Sequence, residues 1–165
     1  MRIRTWLVGL ATLGLVASGT TASAETVRRT DPRGDAPAGI DLTRVSYTHE
    51  TQRLKVVAVL PRLGDAGVAT LSLSRFEVFE AGYVVEIRKR AGHEPRTRLL
   101  FFDHFDTEPR ACDDVAGTWG DRRVTLSVAR SCLTGQARPR MLAEFTIQRG
   151  AEADHAPAVT RLRRS

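Results

Sequence analysis

Alternation of apolar and polar residues, repeated along most of the chain, is the feature that most constrains the fold. In the segment 54–60, every second residue is apolar, from Leu54 through Val56 to Leu60. A period of two places alternate side chains on opposite faces of a β-strand, which is the pattern of a strand with one buried face. Similar alternation occurs in the segments 45–49, 69–74, 123–129 and 141–148, and 26–29, 83–89 and 98–102 are further candidates.

Turn-forming residues separate these candidate strands, as in Glu80-Ala81-Gly82, and Trp119-Gly120-Asp121 predicts the tip of a hairpin. Short strands spaced by about 8 to 15 residues and joined by turns favour an antiparallel sandwich or barrel. A chain of 165 residues, 42% of them hydrophobic, can bury the core of one domain. We therefore expect an all-β protein, an antiparallel and jelly-roll-like β-sandwich of about eight strands.

The first 24 residues have the pattern of a secretory signal peptide. Two arginines precede the apolar stretch 6–16, and Ala22-Ser23-Ala24 supplies the small residues of a cleavage site. The apolar stretch is too short to cross a membrane comfortably. We expect cleavage after Ala24, a sandwich domain over 25–150, and an irregular basic tail over 151–165. The product is expected to be secreted, with no membrane anchor.

The positive charge of the chain does not indicate a nucleic-acid partner. The formal net charge is +6, and it falls to +4 without the expected signal peptide, which contains two arginines and no acidic residue. Nearly all the basic residues are arginines, and they are scattered along the sequence. A protein that binds nucleic acid usually gathers its basic residues into a stripe or patch. We therefore expect no nucleic-acid partner.

Cys112 and Cys132 are the only cysteines of the chain. An exported protein meets an oxidising compartment, where two cysteines pair by default. There is no C-x-x-C motif to indicate a metal or redox site. We expect a structural disulfide that closes a mid-sized loop and contributes roughly 3 kcal/mol in the chain-entropy model.

Four short segments carry a resemblance to a known group. They are Asp31-Pro32-Arg33-Gly34-Asp35, Gly39-Ile40-Asp41-Leu42, Leu54-Lys55-Val56, and the strand 124–129 followed by Arg130-Ser131-Cys132-Leu133. Together they resemble small secreted actinobacterial β-sandwich proteins, in which a proline is usual at the position of Ala129. The fold of that group is similar to family 9 carbohydrate-binding modules and DOMON-type domains, so the resemblance implies a fold more than an activity.

DOMON-type domains bind haem through Met and His, or bind sugars. Apart from Met1, this chain has only Met141, which the alternation places in the core, so haem is not expected. Sugar-binding sandwiches use exposed aromatic side chains, and Trp119 and Tyr83 are the candidates for ligand binding. A competing interpretation of Trp119 is that it covers the nearby disulfide.

Asp31, Asp35 and Asp41 place three carboxylates in one short stretch, with Gly34 permitting a tight turn. Calcium takes several oxygen ligands and tolerates loop geometry, so this stretch predicts a structural calcium site. The alternative is that Asp31 and Asp35 form Asx turns with the backbone. No other cofactor is expected.

The sequence favours a binding module over an enzyme. It contains no G-x-S-x-G, H-E-x-x-H or G-x-x-x-x-G-K-[ST] motif. The acidic segment 103–114 is where a small hydrolase would carry its carboxylates, and it also offers His104 and Asp106 to a metal. We expect a non-catalytic module that binds a glycan or cell-wall ligand. The alternative is an extracellular protein–protein interaction module, and a small hydrolase is the less favoured hypothesis.

Overall fold

The computed structural model describes residues 25–75, 78–135 and 140–164, so the expected signal peptide lies outside the described residues. The described residues form twelve strands and one short 3₁₀ turn, Arg130–Cys132. The strands are β1 (Glu25–Thr30), β2 (Arg44–His49), β3 (Arg53–Val59), β4 (Gly67–Arg75), β5 (Val78–Lys89), β6 (Arg96–Asp103), β7 (Asp106–Arg110), β8 (Val115–Trp119), β9 (Arg123–Ala129), β10 (Arg140–Arg149), β11 (Glu152–His155) and β12 (Val159–Arg163).

The strands form two antiparallel sheets. The smaller sheet has the order β1-β2-β3-β9-β8. The larger sheet has the order β11-β10-β4-β5-β6-β7, and β12 also pairs with β10. All the pairings between neighbouring strands are antiparallel, which confirms the expected all-β sandwich.

The core lies between the two sheets and is built from the alternation seen in the sequence. Along β3, Leu54 and Val56 are buried, as are Phe145 and Met141 along β10. The burial of Met141 confirms its predicted place in the core. The backbone N–H of Phe145 donates a hydrogen bond of 3.1 Å to the Tyr47 hydroxyl oxygen, so a buried polar contact also joins the two sheets.

The structure has more strands than the sequence predicted, and the expected irregular tail after Gly150 is wrong. That segment instead forms β11 and β12, which both pair with β10. Val159 and Leu162 are both buried although they are three residues apart, because the pairing with β10 shifts register between Met141 and Ala143. A strand with such an irregularity shows no period of two, and β7 shows none because all five of its residues are exposed.

The disulfide forms as expected between Cys112 and Cys132, whose Cα atoms are 5.8 Å apart. Cys112 precedes β8 and Cys132 ends the 3₁₀ turn that follows β9, so the bridge ties the open end of the β8–β9 hairpin. Within the described part of the chain, no helix is long and apolar enough to cross a membrane.

Candidate functional site

The two aromatic residues predicted to bind a ligand are already engaged by the fold. Tyr83 is 3% exposed, packs edge to face on Phe101 with ring centroids 5.2 Å apart, and makes a hydrogen bond of 3.1 Å between its hydroxyl and that of Thr134. Trp119 is half-buried, and its indole N–H donates a hydrogen bond of 2.8 Å to the Gly64 carbonyl. The buried ring of Tyr83 cannot stack on a sugar, so the prediction for Tyr83 is corrected by its burial.

Trp119 also helps to close one end of the sandwich. A Cβ atom added at Gly67, the first residue of β4, would lie 3.0 Å from the Trp119 ring. The glycine therefore allows the indole to pack directly against the backbone of the larger sheet. This packing role accounts for Trp119 at the end of β8, and binding of a ligand by Trp119 stays a prediction.

An acidic cluster forms where the loop after β1 meets β11. Asp31, Asp35 and Asp154 each place a carboxylate oxygen within 4.8 Å of the others. Asp154 is 7% exposed, and one of its oxygens accepts a hydrogen bond of 2.7 Å from the Leu42 N–H. The structure thus brings together two of the three aspartates expected from the sequence, and adds a third from a segment 119 residues away from Asp35 by chain position.

Asp41 plays a different part from its neighbours. Its Oδ1 atom accepts a hydrogen bond of 2.9 Å from the Gly34 N–H, and Gly34 has a φ of 81°. The left-handed conformation of Gly34 turns the loop, and the carboxylate of Asp41 holds that turn. Asp41 is therefore better described as a support of the loop than as a member of the cluster.

Burial and electrostatic repulsion both disfavour the charged form of Asp31. Burial, followed by repulsion from Asp154, Asp35 and Asp41, raises the pKa of Asp31 to about 6. Its Oδ2 atom is buried and has no hydrogen-bond partner among the described residues. Oxygen atoms of this kind suit a proton or a hard cation such as calcium, so the predicted calcium site stays a prediction, now with Asp154 in place of Asp41.

An open groove of about 600 Å³ lies beside the β5–β6 hairpin. Its lining is almost wholly charged: Glu86, Arg88, Arg90, His93, Glu94, Arg96, Thr97 and Arg98. Four arginines face two glutamates, so the groove is positively charged. We call this feature the arginine groove.

The hairpin that carries the arginine groove is well supported. The His93 N–H donates a hydrogen bond of 3.0 Å to the Arg90 carbonyl, and Gly92 has a φ of 73°, so the connection is a tight turn. On the inner side, a Cβ atom at Gly117 of β8 would lie 2.5 Å from the Thr97 hydroxyl oxygen. The lack of a side chain at Gly117 lets β8 pack closely beneath the hairpin.

The acidic segment 103–114 does not form one catalytic cleft. Asp114 pairs with Arg53 at 2.8 Å, and Glu108 pairs with Arg110 at 2.5 Å. At the turn between β6 and β7, Nδ1 of His104 lies 2.8 Å from Asp103 Oδ1, and more than half of each side chain is exposed. Among the described residues, the acidic cluster described above is the one group with ligand atoms close enough for a metal, and it contains no residue of this segment.

The arginine groove was missed by the sequence analysis, although a signal for it exists. Glu86 and Arg88 precede the turn at Gly92, and Arg96 and Arg98 follow it. Because residues two apart share a face of a strand, pairing the two segments about that turn would have predicted a charged outer face.

A search with family models and searches of curated proteins and of solved structures each gave no significant match.

Proposed function

We propose that this chain is a secreted, non-catalytic binding module that takes an extracellular glycan in the arginine groove. The observation that carries the proposal is the groove itself, because it combines a concave surface with convergent polar side chains on two paired strands and the turn between them. Groups on paired strands hold their positions better than groups on loops, which favours recognition of an extended ligand. The disulfide is consistent with an oxidising, extracellular location.

The alternative, a protein–protein interaction module, has less support. Such a module is expected to expose a broad apolar patch, and Phe105 is the one large hydrophobic residue that stands out as exposed in the described part of the chain. On the outer face of the larger sheet, Leu100 is only 8% exposed. The free edge at β7 contains Pro109, which lacks the N–H that an added strand would need.

The proposal is tested with the purified chain from Glu25 to Ser165, which contains every described strand, under non-reducing conditions. Affinity electrophoresis against a panel of neutral and acidic polysaccharides measures binding, and assays for new reducing ends and for ester hydrolysis measure turnover. We expect binding to at least one polysaccharide and no turnover of any. Turnover, or failure to bind every polysaccharide in the panel, would contradict the proposal.

A further inference from the structure

The register of the β5–β6 hairpin places two arginines opposite each other on the outer face of the larger sheet. Arg88 pairs with Arg96, and the next pair on the same face is Glu86 with Arg98. Opposite charges at directly paired positions stabilise a sheet, whereas like charges destabilise it. The hairpin therefore carries one pair of opposite charge, Glu86 with Arg98, and one pair of like charge, Arg88 with Arg96. A negatively charged ligand would neutralise the pair of like charge.

Glu86 fixes the direction of the neighbouring guanidinium groups. Its side chain is only 11% exposed, and its two oxygens accept hydrogen bonds of 3.0 and 3.3 Å from Arg98. The Nε atom of Arg88 lies 3.5 Å from the same carboxylate. About half of the Arg88 and Arg98 side chains stays exposed. A guanidinium has five N–H donors, so both arginines keep donors for a ligand after contacting Glu86.

No acidic residue among the described residues pairs with Arg96 or Arg90. Both line the groove beside Arg88. Along β6, Arg96 and Arg98 are separated by about 7 Å, the repeat of side chains on one face of a strand. The groove thus presents several guanidinium groups on one hairpin, which matches a polymer that carries repeated anionic groups better than it matches a single small anion.

The groove has no aromatic platform for an uncharged ligand. Apart from the imidazole of His93, its lining contains no aromatic ring, and the rings of Tyr83 and Trp119 are engaged elsewhere. Neutral sugars are commonly held by stacking on aromatic side chains, and single-stranded nucleic acids are held by stacking of their bases in the same way. Recognition in this groove must therefore be mainly ionic.

We propose that the ligand of the arginine groove is an acidic polysaccharide whose carboxylates pair with Arg88 and Arg96. This inference rests on the proposed function and specifies the class of glycan that it involves. A planar carboxylate fits the fork of a guanidinium with two parallel hydrogen bonds, which a lysine would not provide. Glu86 is a positioning residue in this arrangement, because it acts through Arg88 and Arg98.

The test compares polygalacturonate with its fully methyl-esterified form, which has the same backbone without the charge. Binding is measured by calorimetry for the wild type, for Arg88→Ala/Arg96→Ala, and for Arg28→Ala/Arg123→Ala. The last variant removes the same charge from the outer face of the smaller sheet and serves as the matched control. Thermal unfolding of each variant verifies that it is folded.

We expect the wild type to prefer the acid over the ester by about tenfold or more, and the groove variant to lose about tenfold in affinity for the acid. The control variant should stay within about twofold of the wild type. Equal binding of acid and ester would overturn the inference and leave the proposed function standing. Binding of only the neutral polysaccharides of the panel would have the same two consequences. An equal loss in the control variant, or tighter binding of single-stranded DNA than of polygalacturonate, would also overturn it.

Discussion

The acidic cluster and the arginine groove both gather charges of one sign, but they differ in how the repulsion can be relieved. In the acidic cluster, Asp31 is partly buried and its pKa is raised to about 6, so the site can take up a proton near neutral pH. In the groove, a guanidinium remains charged at any pH at which a protein stays folded. Repulsion between Arg88 and Arg96 is therefore relieved by solvent or by an anion, and not by loss of a proton.

The difference suggests separate roles for the two regions. The acidic cluster joins the loop after β1 to β11, so changes in its charge act on the stability of the fold. The arginine groove lies on the outer face of one hairpin, where we expect changes in charge to act on the affinity for the proposed ligand and to have little effect on stability.

The largest expected effect is that of salt on binding. Raising sodium chloride from about 50 to about 500 mM should weaken binding of polygalacturonate by about tenfold or more, because exposed charges are screened over a few ångströms at high salt. Thermal unfolding at the same two salt concentrations should change far less. Calorimetry and unfolding on one preparation make the check, and binding that is insensitive to salt would contradict the ionic account.

A smaller effect is expected from calcium on the acidic cluster. At neutral pH, millimolar calcium should raise the midpoint of thermal unfolding by several degrees relative to excess chelator, because a ligand that binds only the native state stabilises it. Asp154→Asn should abolish this rise. Asp41→Asn is the matched control and should keep it, because the Asp41 side chain holds the loop through Gly34. An unchanged midpoint would remove calcium from the account.

Removal of the negative charge of Asp31, which burial and then the neighbouring aspartates disfavour, should stabilise the protein slightly. At neutral pH in the presence of chelator, Asp31→Asn should add about 1 kcal/mol, a value discounted for solvent screening because the side chain is only partly buried. For a domain of this size the gain corresponds to about 2–4 °C in the unfolding midpoint. A lower midpoint for the variant would contradict the unfavourable charge inferred at Asp31.

The pH dependence of that gain has a definite sign. A carboxyl with a raised pKa binds its proton more tightly in the native state, so the stability that Asp31 contributes falls as pH rises from about 4 to about 6. Burial lowers the pKa of His49, which removes stability as pH falls below about 6.5 in both proteins. The difference between wild type and Asp31→Asn isolates Asp31, and it should grow across this interval and then level off.

Much of the fold could be predicted from the sequence because most core strands bury one face. The period of two in segments such as 54–60 indicates strands with one buried face. The presence of two cysteines in the chain predicts the disulfide that the structure shows. The strand β12 could not be predicted in this way, since its buried residues Val159 and Leu162 are separated by an irregular register. The alternation of apolar and polar residues within a segment cannot predict a strand whose buried positions depend on its register with a distant strand.

The candidate sites show the same limit. Asp31 and Asp35 were predictable because they lie in one loop, whereas Asp154 reaches the cluster only through the pairing of β11 with β10. The arginine groove likewise depends on the register that puts Arg88 opposite Arg96. Tyr83 was predicted as a ligand contact from its residue type, and its burial, which the type does not reveal, overturns that prediction.

The most direct test of the groove as an acidic-glycan site is a titration of the ¹⁵N-labelled protein with a galacturonate trimer, followed through the arginine Nε–H signals. The account predicts saturable shifts for Arg88, Arg96 and Arg98, with little change at the Trp119 indole N–H. Shifts at Trp119 with unchanged arginine signals would contradict it, because the ligand would then bind at the end of the sandwich and not on the β5–β6 hairpin.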